Sequence, residues 1–132
     1  MKKFGLSKNE RIKSKKEFEL VYKSGEKVLS ARKLLKAHFY SESSDDFNFV
    51  KVAFGINKKS GKAFWRNRLR RILRDCYRLN KSGIVKLAEL KNKKLLIIFS
   101  PYNLDQKTCS RPTFGQFESD FIDLLNKIER EV

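Results

Sequence analysis

Apolar positions along this chain switch several times between a helical period and a strand period. Phe18, Val21 and Tyr22 share one face of a helical wheel while Lys16, Glu19 and Lys23 do not, so the spacing predicts a helix over Lys15–Ser24. Ser14-Lys15-Lys16-Glu17 ahead of it has the spacing of a capping box, and Gly25 supplies the stop. LLKAHFY (34–40) and FNFVKVAFGI (47–56) are β-rich runs separated by SESSDD, a turn-forming stretch, and together they read as an antiparallel hairpin. In the second run Val50, Val52, Phe54 and Ile56 alternate with Phe49, Lys51, Ala53 and Gly55, which assigns the bulky set to a core beneath a helix. A further short strand is expected near Val28.

After NKKSGK the period lengthens again. Trp65, Leu69, Ile72, Cys76 and Leu79 fall on one stripe and predict a long helix from about Lys62 to Leu79, followed by a loop at Ser82-Gly83 and a short helix over 84–91. KLLIIFS (94–100) is apolar without alternation, the pattern of a central strand buried on both faces, and Pro101 ends it. Thr113 and Gln116 form a second capping box before Phe117, Phe121, Leu124, Leu125 and Ile128, the core stripe of an acidic C-terminal helix. No repeat and no linker divides the chain, which reads as one domain over 1–132.

Charge changes this picture most on the long helix. The chain carries 31 Lys and Arg against 15 Asp and Glu, a net +16. Between residues 58 and 78 nine residues are basic and one, Asp75, is acidic, so half of the net charge lies in about one sixth of the length. Lys58, Lys62, Arg66, Arg70, Arg74 and Arg78 form an unbroken i, i+4 row, and Arg71 and Asn67 lie on the same side, away from the apolar stripe. Like charges at that spacing each destabilise a helix by about 0.2–0.5 kcal/mol. A solvated face has mixed signs; a one-signed arginine face suits the oxygens of a polyanion. Gly61 allows close backbone approach where the helix begins. Aromatic residues, 12% of the chain, add the capacity to stack on unpaired bases, with Phe18 and Tyr22 one turn apart on the first helix.

Candidate chemistry is sparse. His38 is the only histidine, which excludes a two-imidazole nuclease and reads as structural. Asp45 and Asp46 sit in the expected hairpin turn and read as solubilising residues. Cys76 and Cys109 have no partners at zinc-ligand spacing and read as reduced thiols. The longest apolar run, LLIIF, is too short to span a bilayer, and no signal-peptide pattern opens the chain, so a cytoplasmic location is expected. These residues describe a nucleic-acid binder whose own side chains break no bonds, a description that a ribosomal component also fits.

NKKSGKAFWRNRLRRILRD (57–75) resembles the signature of the bacterial ribonuclease P protein family, with Arg66-Asn67-Arg68 matching its core motif and Lys58, Lys59, Gly61, Ala63, Arg70, Arg71 and Arg74 its flanks. KEFELVYKSG is similar to the family's opening helix, and the resemblance runs from about Leu6 to Ile128. It implies an α/β fold, an α+β two-layer sandwich of αβββαβα order, with a mostly antiparallel central sheet, a left-handed βαβ crossover and an ordered core of about residues 6–130. It implies an RNA-binding subunit of an endoribonuclease that matures the 5′ end of tRNA, with catalysis left to the RNA subunit. The expected partners are that RNA and precursor tRNA, with no membrane and no small-molecule substrate. No catalytic or metal-binding residue is expected in the chain, and Mg2+ is needed by the RNA-catalysed reaction. Carried over, the RNA-subunit face is Lys58, Lys59, Lys62, Arg66, Asn67, Arg68, Arg70, Arg71 and Arg74. The 5′-leader set is Phe18, Tyr22, Lys36, Lys51 and Asn57. Tyr22, Ala53, Asn57, Phe64 and Trp65 depart from the residues usual in that family.

Overall fold

The structure is a computed structural model and describes residues 10–44 and 49–132. Its elements run α1 (Lys15–Ser24), β1 (Glu26–Leu29), β2 (Leu35–Ser43), β3 (Phe49–Phe54), a short 3-10 turn (Lys58–Ser60), α2 (Ala63–Asn80), α3 (Ser82–Leu90), β4 (Lys93–Pro101) and α4 (Phe114–Glu131). No helix among the described residues is long and apolar enough to cross a membrane.

The four strands form one sheet in the order β1-β2-β4-β3. β1 pairs antiparallel with β2, β2 antiparallel with β4, and β3 parallel with β4. The expected β2–β3 hairpin is therefore not formed. Leu95–Ser100 are all buried, and a strand apolar on both faces is most stable with a neighbour on each edge, so β4 separates the two. Ser41–Ser43, read as turn, instead extend β2, where Glu42 lies opposite Lys94 and Ser43 opposite Lys93. Asp45 and Asp46 lie outside the described residues.

Alternation on β4 divides the core. Leu95, Ile97 and Phe99 join Leu35, Ala37, Phe39, Val50 and Val52 beneath α2, α3 and α4, which make the main helical layer of the sandwich. Leu96 and Ile98 face the other way, where Ile12 and Val21 cover them and Phe18, Tyr40, Phe49 and Ala53 pack around. The Ile12 amide donates to the Val52 carbonyl at 3.0 Å, which partly covers the outer edge of β3.

Local chemistry departs from the expected boxes at two points. Ser14 Oγ caps α1 by accepting from the Glu17 amide at 3.1 Å, yet the Glu17 carboxylate turns to Lys51 Nζ at 3.2 Å instead of reaching back. Gly25 ends α1 in extended backbone, and it is required by space: an added Cβ would run into the carbonyl oxygens of Val21 and Phe39. The capping box of α4 does close, with the Thr113 amide donating to Gln116 Oε1 at 2.9 Å. Ser82 and Gly83, expected as loop, form the first turn of α3, which follows α2 after Lys81 alone.

One buried carboxylate ties α4 to the β1–β2 connection. Asp120, 2% exposed, accepts from Ser30 Oγ at 2.5 Å and from Arg32 Nε at 2.6 Å, and Ser30 Oγ accepts in turn from the Leu35 amide. Asp120→Ala leaves the Ser30 hydroxyl and the Arg32 guanidinium short of their acceptor. We expect a loss of about 2–3 kcal/mol in urea unfolding, with an unchanged denaturant slope.

Candidate nucleic-acid interface

Helix α2 is seated by Trp65, Leu69, Ile72, Leu73, Cys76 and Tyr77, all buried. Leu79, expected in that stripe, is 47% exposed, and Leu73 and Tyr77 fill the core instead. Trp65 shapes the start of the helix. Its indole Nε1 donates to the Cys109 carbonyl at 2.7 Å, and a Cβ on Gly61 would press into its ring. Gly61 therefore makes room for an indole. Burial pushes the Cys76 thiol up to about 12, which keeps it protonated and inert.

The opposite face carries the cations. Lys58, Lys59, Lys62, Asn67, Arg68 and Arg71 are exposed, and Arg66, Arg70 and Arg74 are partly so. Arg66 Nε donates to the Gly61 carbonyl at 3.1 Å, and Arg70 Nη1 to Asn67 Oδ1 at 2.9 Å, so both guanidinium groups are steered by neutral oxygens that leave their charge uncancelled. Arg68 Nε donates to the Pro112 carbonyl at 2.8 Å and leans toward the β4–α4 connection. The lone acid of the segment, Asp75, pairs with Arg78 at 3.5 Å. No ion pair neutralises any of the nine residues expected on the RNA-subunit face, among the described residues.

A cleft of about 360 Å³ opens beside α1, lined by Tyr22, Lys36, His38, Gly55, Asn57 and Ser100 among others. Three of the five residues expected to contact the leader, Tyr22, Lys36 and Asn57, thus share one cavity. The other two do not line it: Phe18 packs partly buried against the small core, and Lys51 is held by Glu17 with its Nζ 5.0 Å from the Phe49 ring centroid. Tyr22 is 53% exposed, and burial of the remainder pushes its phenol above the usual 10, which keeps it a neutral hydrogen-bonding group.

His38 also lines this cleft, although its isolation in the sequence points to a structural role. Its ring lies edge-on to Tyr22 with centroids 5.1 Å apart, and its buried Nδ1 has no hydrogen-bond partner. Alternation along β2 is the available signal, since it places His38 on the face of Lys36. Among the described residues no group of three or more His, Cys, Asp or Glu is gathered to hold a metal ion.

Burial lowers the His38 pKa below 6.5, and the nearby Lys36 and Lys27 lower it further. The unfolded chain then binds a proton more readily than the folded one, so stability is complete above about pH 6.5 and falls as pH drops from there toward the folded value. With one histidine in the chain, no other imidazole titrates in that window. Wild-type protein should lose melting temperature on acidification below about pH 6.5, and His38→Gln should flatten that decline.

Comparison with known proteins bears on family and fold. A family model described as Ribonuclease P matches residues 6–129. The ribonuclease P protein component of Alkaliphilus oremlandii is 30% identical over 118 residues, covering 89% of this chain and 90% of that relative. That of Syntrophus aciditrophicus is 35% identical over 81 residues, covering 61% of this chain and 64% of that relative, just under two thirds of its length. Among solved structures, the RNase P protein from Thermotoga maritima superposes with a TM-score of 0.67 at 24% identity, covering 89% of this chain and 96% of that one. The Staphylococcus aureus RNase P protein gives 0.66 at 22%, with 90% and 94% covered, and at these identities the likeness is one of fold.

Proposed function

The chain belongs to the ribonuclease P protein family, and on that premise we propose that it is the accessory subunit of a ribonuclease P holoenzyme, which removes the 5′ leader of precursor tRNA. The observation that carries the reading is the division of α2 into a buried apolar stripe and an uncancelled arginine face. RNA presents a dense row of phosphates, and a rigid helix lined with guanidinium groups offers bidentate donors at fixed positions. In this reading Lys58, Lys59, Lys62, Arg66, Asn67, Arg68, Arg70, Arg71 and Arg74 dock on the catalytic RNA subunit. The cleft beside α1 takes the single-stranded leader, with Tyr22 as a stacking surface and Lys36 and Asn57 as phosphate or sugar contacts. Phe18 supports that cleft from the core side, and Lys51, paired with Glu17, stays outside it.

Hydrolysis of the phosphodiester is assigned to the RNA subunit and the Mg2+ ions its phosphates hold. The protein's part is electrostatic and positional. Its cations offset repulsion between two polyanions, so substrate binds at magnesium concentrations where RNA alone holds it poorly. A tRNA-maturing role implies a bacterial cytoplasmic location.

Arg66→Ala combined with Arg70→Ala is expected to reduce stimulation of leader removal at low magnesium. It should also flatten the salt dependence of RNA-subunit affinity, by roughly 0.7–0.9 log units per log unit of salt for each phosphate that the variant no longer neutralises. Filter binding over a salt series measures this. Equal stimulation and equal slopes for variant and wild type would remove the arginine face from the interface.

A further inference from the structure

Beyond the cleft at α1 lies a second cavity of about 440 Å³, formed between the β3–α2 and β4–α4 connections and lined by Asn57, Ser60, Tyr102, Asn103, Asp105 and Thr108 among others. Asn57 and Ser60 line both cavities, so the two join into one groove along the carboxyl ends of the parallel strands β3 and β4. We propose that this second cavity is a base-reading pocket. It receives one unpaired nucleotide of the same precursor strand, stacked on Tyr102 and read at its edge by Asn103 and Asp105; the proposal rests on the leader reading given above.

The walls are held in place before any ligand arrives. Gln106 bridges the two connections, its amide donating to the Ser60 carbonyl at 2.8 Å and its Oε1 accepting from the Lys62 amide at 2.9 Å. The Tyr102 amide donates to the Leu34 carbonyl at 2.9 Å, which anchors the loop to the start of β2. A pocket already formed loses little ordering entropy on binding.

Its chemistry favours a base over a phosphate. Tyr102 is 43% exposed, which leaves part of its ring open to a ligand, and Lys27 Nζ lies over the ring 5.9 Å from its centroid. Asp105 accepts from the Thr108 amide at 2.9 Å, and hydrogen bonds from that loop hold its carboxyl below the usual carboxylate range. An anion at that position repels phosphate oxygens and accepts from the amino or imino groups of a base. Asn57 uses its Oδ1 to cap the Lys59 amide, which leaves its N–H groups for a ligand. The strand's phosphates then run past Lys36, which lines the first cavity.

The test uses reconstituted holoenzyme and precursors whose leaders are lengthened one nucleotide at a time. Wild-type affinity should rise with leader length, with one step belonging to the nucleotide that reaches Tyr102. Tyr102→Ala should remove that step, a reduction of roughly 5- to 150-fold for one stacked base, and leave the salt slope unchanged. Tyr102→Phe keeps the ring and should keep the step. Asp105→Asn retains the oxygen that the Thr108 amide needs and should change which base binds best at that nucleotide, whereas Tyr102→Ala weakens all four bases alike. Wild-type binding by Tyr102→Ala at every leader length would overturn the pocket, as would an equal reduction on tRNA that lacks a leader. A wild type indifferent to leader length would instead overturn the leader reading itself.

Discussion

Burial of β4 on both faces and both edges is the constraint from which the rest of the layout follows. Leu95, Ile97 and Phe99 need cover on one side and Leu96 and Ile98 on the other, so helices must lie above and below the sheet. Pairing on both edges puts β2 and β3 on opposite sides of β4, and β3 runs parallel to β4. A parallel pair requires a crossover long enough to hold a helix, and α2 and α3 fill it. The same arrangement brings the ends of β3 and β4 side by side. Ligand-binding crevices form at such carboxyl ends in open α/β sheets, and the groove from Tyr22 to Tyr102 lies there.

Helix α2 then has two separable tasks. Its apolar stripe is locked by Trp65, whose indole is both buried and hydrogen-bonded, and this fixes the axis of the helix against the core. The cations opposite gain almost nothing from the folded chain itself, since their hydrogen bonds go to neutral oxygens and Asp75 pairs only with Arg78. Their mutual repulsion is a modest cost to the free protein, and it is relieved when a polyanion binds. Holding that charge on a rigid, well-packed helix preserves its spacing for a partner of regular phosphate geometry.

Period and capping make every long helix legible, because those signals are local: Ser14, Thr113 and the stripes of α2 and α4 are read within a few residues of themselves. Strand order is not legible. The runs that form β2 and β3 look like neighbours in the sequence, and only the unalternating KLLIIFS hints that a third strand stands between them. The arginine face can be read directly, since wheel position and charge sign are both properties of the segment. The cleft is legible in part. Tyr22, Lys36 and Asn57 meet in it, but Glu17 draws Lys51 aside through a long-range ion pair that no spacing rule contains. In the sequence His38 is a lone imidazole, and Tyr102 merely a residue following a strand. Both are brought to the groove by sheet register and loop docking, which are tertiary facts.

The two sides of the sheet are expected to meet different RNA: the arginine helix the ribozyme subunit, and the cleft at α1 the precursor's leader. Site-specific photocrosslinking in the assembled holoenzyme tests this central claim most directly, with a photoreactive phenylalanine analogue replacing Arg71 in one protein and Tyr22 in another. Position 71 should crosslink to the RNA subunit with or without substrate, and position 22 to precursor tRNA only when a leader is present. Crosslinks from position 71 to the leader, or from position 22 to the RNA subunit alone, would contradict the account.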